Sequence, residues 1–485
     1  MGSSYDLKLM PDMGIRPTLG HVPGERPTAR RAPPLAFEEG PLAWYVWPAE
    51  PPRPGASDGV VPLKGLPEGT ADTLATLAVV VLGLGAVGAR AFVELARLGA
   101  GLLLGVDPDS YGPESWQTQP SRRWADAGKS KARLQGEIAH AANPATTVIT
   151  VKGFSQDLPL WAFRRASVLV AAGDNLDLMV SAGVLAAALG KTLVQGAVQG
   201  EQWVSFVRTY PLGNPEVGCP ACALGAREWS MLRQRRGCDP NNARLQAIEP
   251  TRTLPPVCDL AASLVGGEVL KAILPTSPKA REAEELAYCM LTHRLWPTTY
   301  PRNLNCRCPH QRWHAIDVPA SPSEVTLEML LKQLPAAGPH NHAGPWLQIR
   351  GELPFASFTF CRRCDAQVPV RRFARLGQPV GRCACGEPLA VIPIGTRSVV
   401  PPDDVRHCLG LPLNELGIPP GGAVGIASDA EWSYFFVGKP PILDAAEPRP
   451  PIAPEPPQTL GTPRKRDQRS RLYEGPDDTT PFQAE

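Results

Sequence analysis

Twelve cysteines and one glycine turn carry most of the chemistry legible in this 485-residue chain. Eight of the cysteines form four close pairs: Cys219/Cys222, Cys306/Cys308, Cys361/Cys364 and Cys383/Cys385. Thiolates that close suit tetrahedral zinc, and four protein ligands with no open position make a structural site. His310 is the natural replacement for one thiol of the tight Cys306/Cys308 pair. Cys238, Cys258, Cys289 and Cys408 remain single, and a nucleophilic thiol is to be sought among them. Cys238 follows Arg235-Arg236-Gly237, where cations favour the thiolate and a glycine loop gives access. Cys258, at the start of an expected helix, is its rival, with burial in the core as the plainer explanation. Cys289 and Cys408 read as core.

The glycine turn is Gly83-Leu84-Gly85-Ala86-Val87-Gly88, preceded by the apolar run 78–82. A strand running through such a turn into a helix places a nucleotide phosphate at the helix N-terminus. Asp107, ending a second apolar strand over 102–106, is positioned for ribose hydroxyls. Farther on stand Asp109, Lys131 and the pair Asp174-Asn175. Attack of a carboxylate on the α-phosphorus of ATP builds charge on phosphate oxygens, which lysine and magnesium can meet. Lys131 is assigned to the phosphates and Asp174 to magnesium. The turn by itself equally suits a nicotinamide dehydrogenase, with Lys131 and Asp174 on the surface.

The elements that must position these groups alternate as in an α/β, Rossmann-like doubly wound domain. Helices are expected over 89–98, 129–142, 178–189 and 260–274, and strands over 167–172, 193–195 and 203–208. Residues 1–73 are Pro- and Arg-rich, with an ordered patch at Trp44-Tyr45-Val46-Trp47. The adenylation-type domain is set at 74–314. After Trp313 the pattern changes to an amphipathic stretch at 325–334 and strands near 346–350, 355–360, 389–394, 423–428 and 432–437. Residues 315–440 are therefore expected to form an α+β domain carrying a zinc ribbon, followed by a disordered tail over 441–485.

A net charge of +2 leaves no global footprint for nucleic acid or an anionic membrane. The cluster Arg362, Arg363, Arg371, Arg372, Arg375 and Arg382 is read as the solvated face of the ribbon, so no nucleic-acid partner is expected. The chain opens without a basic-then-apolar leader, and its longest apolar run is too short to span a bilayer. A soluble cytoplasmic protein is expected, and paired cysteines there point to metal and thiol chemistry rather than disulfides.

Taken in order, Gly83 to Gly88, Val106-Asp107-Pro108-Asp109, Ala127-Gly128-Lys129-Ser130-Lys131, Asn143-Pro144, Gly173-Asp174-Asn175 and Cys219-Pro220-Ala221-Cys222 resemble ubiquitin-activating enzymes and their ThiF/MoeB-type relatives. The run from Leu254-Pro255-Pro256 to Lys271 resembles the family's final helix, and the likeness covers about 75–312. It implies a nucleotide site of Gly83, Gly85, Gly88, Asp107, Asp109, Gln119, Lys131, Asp174 and Asn175. It also implies ATP, magnesium and zinc as cofactors. The implied reaction adenylates the C-terminus of a ubiquitin-like modifier, then forms a thioester for transfer to a conjugating enzyme, commonly within a homodimer. Among eukaryotic relatives, the activating enzyme of the ubiquitin-fold modifier Ufm carries its thiol in the segment where Cys238 lies. The Ala-, Pro- and Arg-rich composition suits a GC-rich bacterial genome, where by analogy enzymes of this resemblance belong to ubiquitin-like conjugation operons linked to antiviral defence. Where the family has Asn-x-x-Arg-Gln, this chain has Ser115-Trp116-Gln117-Thr118-Gln119, keeping only the glutamine. Arg122 and Arg123 are the nearest guanidinium replacements in sequence. The alternatives are a sulfur-carrier adenylyltransferase and a catalytically silent scaffold of the same fold.

Overall fold

The computed structural model describes residues 34–39, 41–50, 69–112, 115, 117–119, 124–173, 175–235, 253–274, 282–334, 348–428 and 431–444. Its first elements are β1 (Leu35–Glu39), β2 (Leu42–Trp47), α1 (Thr70–Thr76), β3 (Ala78–Leu82), α2 (Gly88–Leu98), β4 (Leu102–Val106), α3 (Lys131–Ala142), β5 (Thr147–Lys152) and α4 (Leu160–Arg165). There follow β6 (Val168–Ala171), α5 (Leu176–Leu189), β7 (Thr192–Gln199), β8 (Val204–Pro211), α6 (Ala226–Arg235), α7 (Pro255–Ile273), β9 (Ala283–Cys289) and β10 (Arg294–Tyr300). All ten strands join one sheet in the order β1-β2-β5-β4-β3-β6-β7-β8-β9-β10. The five central strands, β5-β4-β3-β6-β7, are parallel, and antiparallel strands extend both flanks. After β5 the chain returns to the far side of β3 to lay down β6. This reversal opens a crevice at the carboxyl ends of β3 and β6.

The central strands are apolar on both faces because both are covered. Val79, Val81, Leu103 and Val170 point into one core with Phe92 and Leu95 of α2, Ala132 of α3 and Val265 of α7. Val80, Leu82, Leu104 and Leu169 point into the other, with Trp161 of α4 and Val180 and Ala186 of α5. The sheet is thus doubly wound, as expected. The helix expected over 260–274 begins at Pro255, because Pro255 and Pro256 occupy its first turn, where no N–H is needed. The patch at Trp44-Tyr45-Val46-Trp47 is strand β2, paired with β5, with Trp44 stacked on Trp161 at 5.8 Å. Two strands of the sheet therefore come from the proline-rich N-terminal region.

The C-terminal strands form a four-stranded sheet that pairs His314–Val318 with Glu431–Val437, then Ala423–Ser428 and Gln348–Gly351. One face packs on Leu327, Leu330 and Phe355. From the other, Tyr434 and Phe436 join the core on the α4/α5 side of the large sheet. Trp313 stacks on Tyr434 at 3.9 Å, and the Arg350 guanidinium lies 3.8 Å over Trp432. Glu352 Oε1 accepts the amide N–H groups of Leu160 (3.2 Å) and Ala423 (3.0 Å), bridging the two parts. All of this lies within one compact unit, Met1–Pro448. Smaller sheets, of three strands (Phe355–Phe360, Gln367–Phe373, Thr396–Arg397) and two (Pro379–Arg382, Pro388–Ala390), carry the second set of paired cysteines. Among the described residues no helix is long and apolar enough to cross a membrane.

Candidate nucleotide site and cysteine clusters

The glycine turn is built by close approach. Gly83 sits at φ 91°, a left-handed conformation, and a Cβ there would lie 3.0 Å from the Gly173 amide nitrogen. A Cβ on Gly88 would meet Gly83 O at 1.9 Å, so only glycine lets α2 start against the turn. Gly85 faces open space, which leaves the backbone accessible to a phosphate.

The two acids expected at this edge take different environments. Asp107 is buried, and its Oδ2 accepts the Leu84 N–H (2.7 Å) while Oδ1 accepts that of Asp109 (2.9 Å). Burial pushes its carboxyl above the ordinary value, against the lowering pull of Lys131 and of those two amides. Asp107 thus braces the glycine loop from beneath. Asp109 is the solvent-facing acid; its Oδ2 lies 2.9 Å from Lys131 Nζ, which is largely buried at the start of α3. The Lys131 N–H also bonds Asp109 O at 3.0 Å, and Ser130 caps the helix by accepting the Arg133 N–H. Asn175 caps α5 in the same way, its Oδ1 accepting the Leu178 N–H at 2.7 Å. Gln119 follows a tight turn, and its Oε1 is buried without a hydrogen-bond partner among the described residues. Asp174, expected at magnesium, and Cys238, expected as the thiol, lie outside the described residues, as do Arg122 and Arg123.

Arg90, in the first turn of α2, has no place in the expected site yet stands inside it. Its Nη1 donates to Ala86 O of the glycine loop (2.6 Å) and to Thr118 O (2.7 Å), while Nε pairs with Asp259 at the start of α7. A cation in a helix's first turn opposes the helix dipole, and that local conflict was the available signal.

Cys258 is fully buried in α7, its Sγ 3.1 Å from Thr253 Oγ1, and burial raises its thiol pKa. Cys289 and Cys408 are buried, as expected. Two clusters collect the paired cysteines. In the first, ligand atoms of Cys219, Cys222, Cys306 and His310 lie within 4.8 Å of one another. His310, the expected substitute, is in that set, and Cys308 adjoins it, with its thiol hydrogen-bonded to those of Cys219 and Cys306. The second is Cys361, Cys364, Cys383 and Cys385, the four expected. A cavity of about 510 Å³ lies elsewhere, between the 156–159 loop and the C-terminal strands, lined among others by Asp157, Leu158, Glu352, Phe373 and Arg375.

A doubly wound sheet, a glycine turn braced by a buried acid and a lysine beside an exposed acid define a nucleotide-binding α/β protein. The ThiF family model matches residues 60–310, and the chain belongs to that family. It is therefore an adenylyltransferase in the general sense, of a kind that uses ATP and magnesium. No curated protein matches the chain. Among solved structures, Escherichia coli MccB with ATP is similar at 18% identity, covering 49% of this chain and 67% of that one at a TM-score of 0.39. MccB with succinimide gives 19%, 49%, 68% and 0.40. Selenomethionine PaaA gives 16%, 47%, 75% and 0.38.

Proposed function

We propose that the chain activates the C-terminal glycine of a ubiquitin-like protein with ATP and carries it as a thioester on Cys238 for transfer to a conjugating enzyme. The modifier's carboxylate oxygen attacks the α-phosphorus of ATP, the bond to the bridging oxygen breaks, and pyrophosphate leaves. The Cys238 thiolate then attacks the acyl carbon and AMP departs. The supporting observation is the Lys131–Asp109 pair beside the open Gly85 backbone, a cation and a polar acceptor at the carboxyl edge of the sheet. Lys131 meets the phosphate charge, and Asp109, the acid left exposed, takes the ribose hydroxyls in place of Asp107. Asp174 would hold magnesium, which would add further charge neutralisation at the phosphates.

Both cysteine clusters fit zinc: each gathers four thiolate or imidazole donors at tetrahedral-ligand spacing with no carboxylate among them. We assign the first zinc to Cys219, Cys222, Cys306 and His310 and the second to Cys361, Cys364, Cys383 and Cys385. Residues 74–314 act as the adenylation domain in a homodimer, and 315–440 recruit the modifier or the conjugating enzyme.

The test is exchange of labelled pyrophosphate into ATP by the full chain, with β-grasp proteins ending in glycine as substrates. Modifier-dependent exchange, retained by Cys238→Ala while a thiol-sensitive adduct disappears, is the expected result. Exchange without any adduct favours a sulfur-carrier adenylyltransferase. ATP binding without exchange for any carrier marks a silent scaffold.

A further inference from the structure

We propose that Arg90 is a positioning residue for the nucleotide, holding the Gln119 loop against the glycine turn so that the Gln119 carboxamide meets the phosphates. The inference rests on the ATP reading of the site.

The segment around Gln119 is a tight turn, with Thr118 N and Gln119 N both donating to Ser115 O, at 3.3 and 2.9 Å. A turn fixes its own shape without fixing its position relative to the glycine loop. Arg90 supplies that second constraint. One nitrogen, Nη1, reaches the carbonyl oxygen of the glycine loop (Ala86) and that of the residue preceding Gln119 (Thr118). The ion pair with Asp259 orients the guanidinium from the far side, and the side chain is only 10% exposed. Charge-assisted bonds in such a position are stronger than neutral ones, and the rigid guanidinium plane fixes Nη1, with its two carbonyl acceptors, relative to the Nε–Asp259 pair, which an ammonium cannot do.

The held group is a carboxamide whose oxygen is buried without a hydrogen-bond partner among the described residues. A buried polar atom left unpaired is costly unless a ligand satisfies it. Oxygen and nitrogen of that amide exchange by a flip, so it can turn its N–H₂ toward an anion. Thr118 stands where the family's loop arginine would be. Here the guanidinium reaches the same point of backbone from α2, contacting Thr118 O instead of replacing Thr118.

The experiment is calorimetric binding of Mg-ATP to the full chain, in a double-mutant cycle between Arg90 and Gln119. Arg90→Gln is expected to weaken binding about tenfold, and Gln119→Ala by a similar factor. Because Arg90 acts through Gln119, the double variant should be no weaker than Gln119→Ala alone. Arg90→Lys, keeping charge but not the fork, should fall between wild type and Arg90→Gln. A purely structural Arg90 would lower the melting temperature of the nucleotide-free protein and weaken ATP binding equally in both backgrounds. Unchanged binding in Arg90→Gln, or additive losses in the double variant, overturns the inference while leaving the ATP reading intact. Failure of the wild-type chain to bind Mg-ATP overturns both.

Discussion

The two cysteine clusters use the same chemistry at opposite sequence ranges. The Cys219 and Cys306 sulfurs, 3.7 Å apart, are separated by 87 residues, and Cys222 meets His310 across 88. The Cys361–Cys385 and Cys364–Cys383 contacts span 24 and 19. The first cluster is embedded in the main core beside α5 and α6, where Cys219 and Cys222 are buried with Leu212, Val217 and Leu232. The second has a core of its own, little more than Leu389, Val368 and Val380 around the sulfurs. With zinc bound as proposed, the first cluster closes a long loop that contains α6, α7 and the β9–β10 hairpin. The other substitutes for a hydrophobic interior that its small sheets do not have.

Breaking the long-range staple has the largest expected effect. Cys219→Ser should halve the zinc content, lower the melting temperature of the whole unit and weaken Mg-ATP binding, because α7 both ends inside that loop and holds Arg90 through Asp259. Mass spectrometry under native conditions, calorimetry and ATP titration read the three effects. If the nucleotide affinity stays at the wild-type level, the cluster is not coupled to the site. Cys361→Ser should also remove one zinc but leave Mg-ATP affinity unchanged, with the loss of protection in hydrogen exchange confined to about residues 355–397. Spread of that loss to β3 or α2 would erase the contrast. A smaller effect sharpens the ligand set. His310→Ala should release the first zinc to a mild chelator, and Cys308→Ser should not; the reverse order would return Cys308 to the ligand set.

How much of this was legible depends on how local each signal is. The turn at Gly83–Gly88, the strands β3 and β4 and the second cysteine cluster are written in contiguous residues, and each is found where spacing puts it. Strand β9 is not, because Ala283-Glu284-Glu285-Leu286-Ala287 is built of helix formers and is held extended by β8 on one side and β10 on the other. The hairpin β1–β2 lies beyond a proline-rich stretch, and only its pairing with β5, a hundred residues on, makes it part of the sheet. The division of labour between Asp107 and Asp109 was hidden for a related reason. Both are acids at the same strand end, and it is the backbone amides of Leu84 and Asp109 that turn one inward. Arg90 is a single basic residue on a helix until its three partners, Ala86 one turn back and Thr118 and Asp259 from two distant segments, are brought together.

The finest test concerns what joins the two regions. Trp313, just past the first cluster, stacks on Tyr434 of the C-terminal sheet, and the Arg350 guanidinium lies over Trp432 with Tyr434 and Trp313 on its flanks. Such stacking contributes about 0.5–1.5 kcal/mol per aromatic pair, with a comparable amount from a partly desolvated cation over a ring. Arg350→Ala should therefore lower unfolding free energy by about 1–2 kcal/mol by denaturant titration, without loss of either zinc. If the two parts unfold together, the variant's transition stays single and moves as a whole. If it splits, with the ribbon signal lost at lower denaturant than the ATP-site signal, the C-terminal sheet is a separate cooperative unit. In that event the independence of the two clusters, inferred from their sequence ranges, extends to the whole of the parts that hold them.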